Sequence, residues 1–374
     1  MRNYRSWVEV SRNQIAENYR AACELAGPGV TVMPVVKADA YRHGAVEVSR
    51  VLESQGAQWL AVSNTEEGVI LREAGVNARI LVMADFLPVT RETMLAYGLT
   101  PVLHSLEAIA ELEDLAQRRQ EPVAYHLKID SGMGRLGTRA PASAIAEAVL
   151  SCRAARLEGL MTHFASAANY SSPQTGDQIL CFEQLRAALS RAGVRPAYVH
   201  LSSTIPLAYA RREAWGNMIR PGHAIYGYVS PTRGPAPPAQ LRVKPAMNWK
   251  ATVLSVKDVP AGALIGYGGM YRAPRAMRLA ILAAGYADGI PHRLSNKGRV
   301  IAGGRFAPIL GAVSMDLTTI DASDCPQLQV GDAVTLMGRH GDLHIDAQEI
   351  ARMAGTISYS VLCGISARVK RVYV

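Results

Sequence analysis

The chain has 374 residues, 49% of them hydrophobic and 19% charged, which is enough for two domains with sizeable cores. Its five cysteines (Cys23, Cys152, Cys181, Cys325, Cys363) are scattered without a paired spacing, which argues against a disulfide framework or a cysteine-rich zinc site. The formal net charge of +9 is uneven: residues 236–374 carry 16 basic and 9 acidic groups, against 24 and 22 before them. No basic run is interleaved with aromatics, so the charge suggests a mild attraction for small anions, or a merely solvated basic surface, rather than nucleic-acid binding.

Met1 to Val10 mixes charged and polar residues with no apolar run behind it, and no later apolar stretch reaches membrane-span length. A cytoplasmic protein without membrane contact is expected. From there strand-like runs alternate with helix-like stretches. The runs are Val30–Val36, Trp59–Ser63, Ile80–Ala84, Pro101–His104, Ala124–Ile129, Leu157–Phe164, Tyr198–Leu201 and Met218–Tyr226. Helical patterns include Glu66–Ala74, Ser105–Arg118, Ala142–Leu150 and Gln178–Ala192; the link between the third and fourth runs is the least distinct. Eight strands alternating with helices suggest a (β/α)8, TIM-like α/β barrel, although a doubly wound sheet has a similar pattern.

Ser230–Ala239 reads SPTRGPAPPA, a Pro-rich linker. Beyond it come short β-rich runs with glycine-bearing turns: Ala251–Val256, Arg278–Ala283, Arg299–Ile301 and Ala333–Met337. Only Ala347–Ala354 reads as a helix there. The expected organisation is a barrel over 1–235 and a mainly β domain over 236–374, with the first residues of the chain able to pack against the β domain. His340 and His344 sit in a turn-rich context, which favours a surface hairpin over a metal pair; no metal site is expected.

The chemistry begins at Lys37. It closes the apolar run Pro34–Val36 and precedes a polar loop, the place at a strand's C-terminal end where barrel enzymes keep reactive groups. Of the 40 basic residues 33 are Arg, and residues 1–235 hold only two lysines, Lys37 and Lys128. A chain that elsewhere uses Arg for charge keeps a lysine where an amine is needed, as for a Schiff base with an aldehyde. A solvated strand-end lysine is the plain alternative. Further strand ends carry Arg135, His163, the hydroxyls of His200–Thr204, and Arg220 followed by Gly222. Hydroxyls and backbone amides at the seventh and eighth lips make a natural phosphate cradle. Taken singly, His163 could be a core histidine and Arg220 a surface ion-pair partner.

VVKADAYRHG (35–44), KIDSGMGRLG (128–137), THFA (162–165), IRPGHAIYG (219–227), YGGMY (267–271), GYADG (285–289) and SMD (314–316) together closely resemble the alanine racemase family, over nearly the whole chain and in order. The resemblance implies a pyridoxal 5'-phosphate enzyme that racemises L- and D-alanine by two-base α-proton transfer and supplies D-alanine for peptidoglycan. It implies a homodimer with an active site shared between chains. Lys37 would be the Schiff-base lysine. Tyr41, Ser203, Tyr359, Gly222 and His223 would hold the phosphate. Arg135 would contact the cofactor's phenolic oxygen and take part in substrate binding, His163 would lie against the ring, and Arg220 would face the pyridine nitrogen. Tyr267 would be the second base, delivered from the other subunit, and Tyr286 and Met315 would bind the substrate carboxylate. Lys128 matches a lysine that is often carbamylated and orients Arg135, or is a plain structural lysine.

Several positions depart from that pattern. Arg42 replaces a usual glycine, Ser202 an asparagine, His223 an aliphatic residue and Ser314 a cysteine. Ala168 and Ala312 stand where charged residues often line the access channel, and His292 where arginine is frequent. Serine as an additional or alternative substrate is therefore open. A decarboxylase of similar architecture would want an acid where Arg220 stands, and a non-catalytic cofactor-binding barrel would have no use for Tyr267.

Overall fold

The computed structural model describes residues 4–374; the first three residues of the stretch from Met1 to Val10 lie outside that range. The chain forms two compact units, one of Ile15–Ala40 and Ala45–Lys244, the other of the residues through Gln14, Tyr41–Gly44 and Pro245–Val374.

The first unit is a parallel barrel. Trp59–Val62, Arg79–Val82, Thr100–Leu103, Val123–Lys128, Ala155–Met161 and Tyr198–His200 lie side by side in chain order, all parallel. Thr31–Val32 pairs in parallel with Met218–Ile219, and Val35 bridges to Ala61. First strand against last is closure, which decides for a barrel over a doubly wound sheet. Strands such as Trp59–Val62 are buried throughout, which is why they read as continuous apolar runs rather than alternating ones. The first and eighth strands are only two residues long. After Ile219 the chain leaves the sheet at Pro221 and turns into a short 3₁₀ segment, His223–Tyr226.

The helices start where their caps dictate. Asn64 accepts from the Glu67 N–H to open Thr65–Glu73, and Ser105 accepts from the Ala108 N–H to open Leu106–Arg119. The indistinct link contains Arg91–Ala96, six residues without a side-chain cap, too short to print a clear period. The Pro-rich segment has no regular structure but is strapped to the barrel's exterior. The Arg233 N–H donates to Ala168 O, its carbonyl accepts from the Tyr170 N–H, and the Gln240 N–H donates to Ala208 O.

The second unit is built on a nine-stranded sheet. Met247–Val259 runs through it, pairing antiparallel with Ser6–Val10, Met277–Leu282 and Ala333–His340. Ala347–Ala354 is helical as expected, capped by Asp346 and ended by Gly355 at φ 63°. A second helix, Ser358–Gly364, corrects the expectation of one: its short segment has no side-chain cap and no run long enough to show a period. His340 and His344 lie on the hairpin of Ala333–His340 and Leu343–Ile345. Among the described residues, no helix is long and apolar enough to cross a membrane and no cluster of potential metal ligands occurs.

Candidate active site

In the barrel unit the strand ends bring several cations together. Lys37 is half-buried at the start of an unusual turn: Ala38, Asp39, Ala40, Tyr41 and Arg42 all have positive φ, between 52° and 67°. Five consecutive non-glycine residues in the left-handed region cost about 1–2 kcal/mol each, so the surroundings must hold them. Glu67 accepts from the Ala38 N–H at 2.6 Å and from the Ser63 N–H at 2.8 Å. Asp39 accepts from the Ala45 N–H at 2.8 Å, and the Ala40 N–H donates to Val36 O at 2.8 Å. Strain concentrated beside one lysine marks a positioned group rather than a solvated one.

Arg220 is 3% exposed. Its guanidinium donates to His200 O and Thr162 O, both at 2.8 Å, to Leu201 O at 3.2 Å, and to the Nδ1 atoms of His200 (3.0 Å) and His163 (3.3 Å). None of these acceptors is a carboxylate, and burial pulls its pKa down to about 9. His163 is pushed down to about 3 by burial, then by the charges of Arg220, Lys128, Arg135 and Lys37, so it is neutral at physiological pH. Lys128, 6% exposed, is pushed down to about 8 by burial, with Arg135, Arg220 and Lys37 adding to the effect and Asp130 opposing it. Asp130 ties down the glycine-rich lip: its Oδ1 accepts from the N–H groups of Gly132, Met133 and Gly134 and its Oδ2 from Arg139. Arg135 rides exposed on that lip.

Ser203 occupies the N-cap of Thr204–Ala208 without using its side chain as a cap, and Gly222 occupies that of His223–Tyr226. Thr204 Oγ1 accepts from the Gly222 and Ala224 N–H groups, both at 3.2 Å, and fastens these two turns together. The seventh and eighth lips therefore form one assembly, in which Thr204 engages these two amides and the Ser203 hydroxyl stands at the helix start without capping it.

In the second unit, the Tyr41 and Tyr359 rings are 6.0 Å apart. Burial, then Tyr359 and Cys363, raises the Tyr41 pKa, leaving a neutral phenol that can donate. Tyr267 stands on a tight turn between Gly266 (φ 76°) and Gly268 (φ 67°) and is 76% exposed. Tyr286 and Met315 are 45% and 53% exposed, and their loops are zipped together: the Tyr286 N–H donates to Ser314 O at 2.9 Å and the Ala287 N–H to Met315 O at 3.0 Å. A side chain at Gly285 would overlap the Ser314 and Met315 carbonyls, so this approach requires glycine.

The residues expected from sequence thus fall into two sets: Lys37, Lys128, Arg135, His163, Ser203, Arg220, Gly222 and His223 on the barrel unit, and Tyr41, Tyr267, Tyr286, Met315 and Tyr359 on the other. Sequence reading missed the groups behind them. Glu67 holds the lysine turn. Gln178, buried, donates to His163 O at 3.1 Å and to Ser131 Oγ at 3.3 Å. His200 supports Arg220. In the sequence His200 reads only as the start of a hydroxyl-bearing strand end; in the fold it closes the strand Tyr198–His200 and is the buried residue of the three.

Residues 10–231 match the family model "Alanine racemase, N-terminal domain", and 246–373 match "Alanine racemase, C-terminal domain". The chain belongs to the alanine racemase family. The alanine racemase of Halothermothrix orenii is 39% identical over 370 residues, covering 98% of this chain and 96% of that protein. Among solved structures, the Bacillus anthracis alanine racemase with bound L-Ala-P superposes with a TM-score of 0.90 at 32% identity, covering 99% and 95% of the two chains. The Bartonella henselae alanine racemase with covalently bound pyridoxal phosphate gives 0.87 at 26% identity, covering 99% and 100%. The family and the barrel-plus-β fold expected from the motifs are both borne out; the family is one of isomerases.

Proposed function

We propose that this chain interconverts L- and D-alanine with pyridoxal 5'-phosphate held covalently by Lys37, acts in the cytoplasm as a homodimer, and supplies D-alanine for peptidoglycan. The observation that carries the reading is the buried Arg220 guanidinium, held 3.3 Å from His163 Nδ1 with no carboxylate among its acceptors, at strand ends that also carry Lys37, Lys128 and Arg135. Such a focus of positive charge fits an anionic aldehyde cofactor. The fit extends to details. The anion cradle has a hydroxyl left over at Ser203. The guanidinium at Arg220 lacks a carboxylate and can still donate to a ring nitrogen. When bound, the cofactor would withdraw electrons from the substrate's α-carbon and make its proton removable.

The residues divide the remaining work. Lys37 and Tyr267 would move the proton on opposite faces, Lys37 as an amine and Tyr267 through its hydroxyl. Ser203, Gly222, His223, Tyr41 and Tyr359 would hold the phosphate. His163 would support the ring's face, and Arg135 its phenolic oxygen and the substrate. Tyr286 and the Met315 backbone would take the substrate carboxylate. Arg220 would leave the ring nitrogen unprotonated, a weaker electron sink that discourages side reactions. Lys128, with its depressed pKa, has neutral amine available for carbamylation, and the resulting anion would orient Arg135. The exposure of Tyr267, Tyr286 and Met315 supports their being donated to a partner subunit.

The test is to incubate the protein and pyridoxal phosphate with L-alanine, and separately L-serine, in deuterated water. D-Alanine carrying deuterium at the α-carbon, with serine turning over more slowly, is expected. Cofactor uptake without exchange or inversion of either amino acid would overturn the reading, and faster serine turnover would reassign the substrate.

A further inference from the structure

Barrel interiors are ordinarily filled with branched aliphatic side chains. This one contains a row of polar groups. Arg220 Nη1 donates to His200 Nδ1 at 3.0 Å, His200 Nε2 lies 2.8 Å from His126 Nδ1, and His126 Nε2 lies 3.7 Å from Glu158 Oε2. Glu158 is closed off by Arg79, which donates to both its oxygens at 2.7 and 2.6 Å and stacks over Trp59. His126 and His200 are fully buried. The row begins at the barrel mouth, beyond the end of Met218–Ile219, and finishes near the opposite rim, where Arg79 and Trp59 open their strands.

Two backbone features make room for it. Tyr125 pairs with Leu157 but His126 with Gly159, so Glu158 is the extra residue of a bulge, a device that re-aims a side chain. Gly159 has ordinary backbone angles, yet a Cβ there would overlap the His126 ring. The glycine is required by the imidazole and not by its own conformation.

The row has only one direction. Arg220 can donate but not accept, and an ionised Glu158 can accept but not donate. His200 must therefore present a bare Nδ1 to Arg220 and carry its proton on Nε2, which donates to His126 Nδ1. His126 must then carry its own proton on Nε2, facing Glu158. The 3.7 Å step is beyond an ordinary hydrogen bond, and there the half-buried carboxylate, 21% exposed, acts through its charge on a fully buried imidazole. Reversing the row would set an imidazole N–H against a guanidinium N–H at Arg220.

We propose that Glu158, acting through His126 and His200, is a positioning residue for Arg220: its negative charge at the far rim, in concert with the donor-only guanidinium at the mouth, holds both imidazoles in one tautomer and so strengthens the anchoring of that guanidinium. The consequence for racemisation rests on the proposed role of Arg220 at the ring nitrogen; the tautomers do not.

Nitrogen NMR of ¹⁵N-histidine-labelled protein tests it, with and without pyridoxal phosphate. His126 and His200 are expected to be neutral and protonated on Nε2 between pH 6 and 8, and an Nδ1-protonated form of either in the parent overturns the proposal. Glu158→Gln, whose amide can donate as well as accept, is expected to admit an Nδ1-protonated minority form at the expense of the His200–Arg220 bond, and to lower kcat for alanine about tenfold with KM within about twofold. Arg79→Met removes the neighbouring ion pair but keeps the carboxylate, and should leave tautomers and kcat within about twofold of the parent. Equal effects of the two substitutions, or an unchanged His200 signal in Glu158→Gln, would reduce the row to packing. If the parent takes up no cofactor, the functional reading fails while the cofactor-free spectra still decide the row.

Discussion

At the scale of single residues, the chemistry proposed for Lys37 and Tyr267 divides by face. Tyr267→Phe keeps the ring and removes the hydroxyl, so one hand of alanine loses its base while Lys37 still serves the other. Racemisation should fall by at least about a hundredfold, the effect of removing a positioned acid–base group. Residual α-hydrogen exchange with solvent should survive for one enantiomer only, read by proton NMR of each enantiomer in deuterated water. Equal loss for both would argue against a role confined to one face. The types of these residues were legible in the sequence because chemistry restricts them: an amine at a strand end, an arginine where an acid is common. Their supports were not. Glu67, Gln178, His126 and Glu158 are ordinary residue types whose significance depends on which groups of other strands and turns they meet, and no local period encodes that.

At the scale of elements, periods marked Thr65–Glu73, Leu106–Arg119, Ala142–Leu150, Gln174–Arg191 and Ala347–Ala354, and two of the helices that were not read share a cause. Arg91–Ala96 and Ser358–Gly364 are too short for a period to develop, and neither has a side-chain cap. The left-handed turn after Lys37 was invisible for another reason: it contains no glycine at Ala38 through Arg42, the usual mark of positive φ. Arg42, at φ 67°, is the position where relief is simplest. Its Nε donates only a long 3.3 Å bond to Cys363 O, and its carbonyl, which accepts from Arg371, survives substitution. Arg42→Gly should therefore stabilise the protein by about 1 kcal/mol, the left-handed penalty less the glycine's added unfolded-state freedom. Denaturant unfolding measures this; a loss of stability would mean that the Arg42 side chain contributes more than its strain costs.

At the scale of the whole molecule, the buried histidines act together. His163, His104, His200 and His126 all have pKa values lowered first by burial, His163 to about 3 and His104 to about 4. Unfolded, each would titrate near 6.5, so the unfolded chain binds the extra protons. Their contribution is complete above about pH 6.5 and is lost as pH falls toward the folded values. The melting temperature should hold near pH 7, below the Lys128 transition at about 8, and decline from about pH 6.5 downward, well before the carboxylates of Asp130 and Glu158, held at about 2 by hydrogen bonds that outweigh the cost of burial, begin to protonate. A flat profile to pH 5 would contradict this assignment. The shared site has its own signature. Lys37→Ala and Tyr267→Ala subunits, each inactive alone, should recover about a quarter of parental activity when allowed to exchange, because half the dimers pair one intact lysine with one intact tyrosine. No recovery despite exchange would refute sharing. Finally, Ser6–Val10 lies between Met247–Val259 on one side and Lys370–Tyr373 on the other. On the ribosome this strand emerges long before either neighbour. The sheet can therefore close only once Lys370–Tyr373 has emerged as well. A product truncated before Lys370, or one begun after Val10, lacks a strand of that sheet, and the natural remedy for the latter is a short peptide spanning Ser6–Val10 added back in trans.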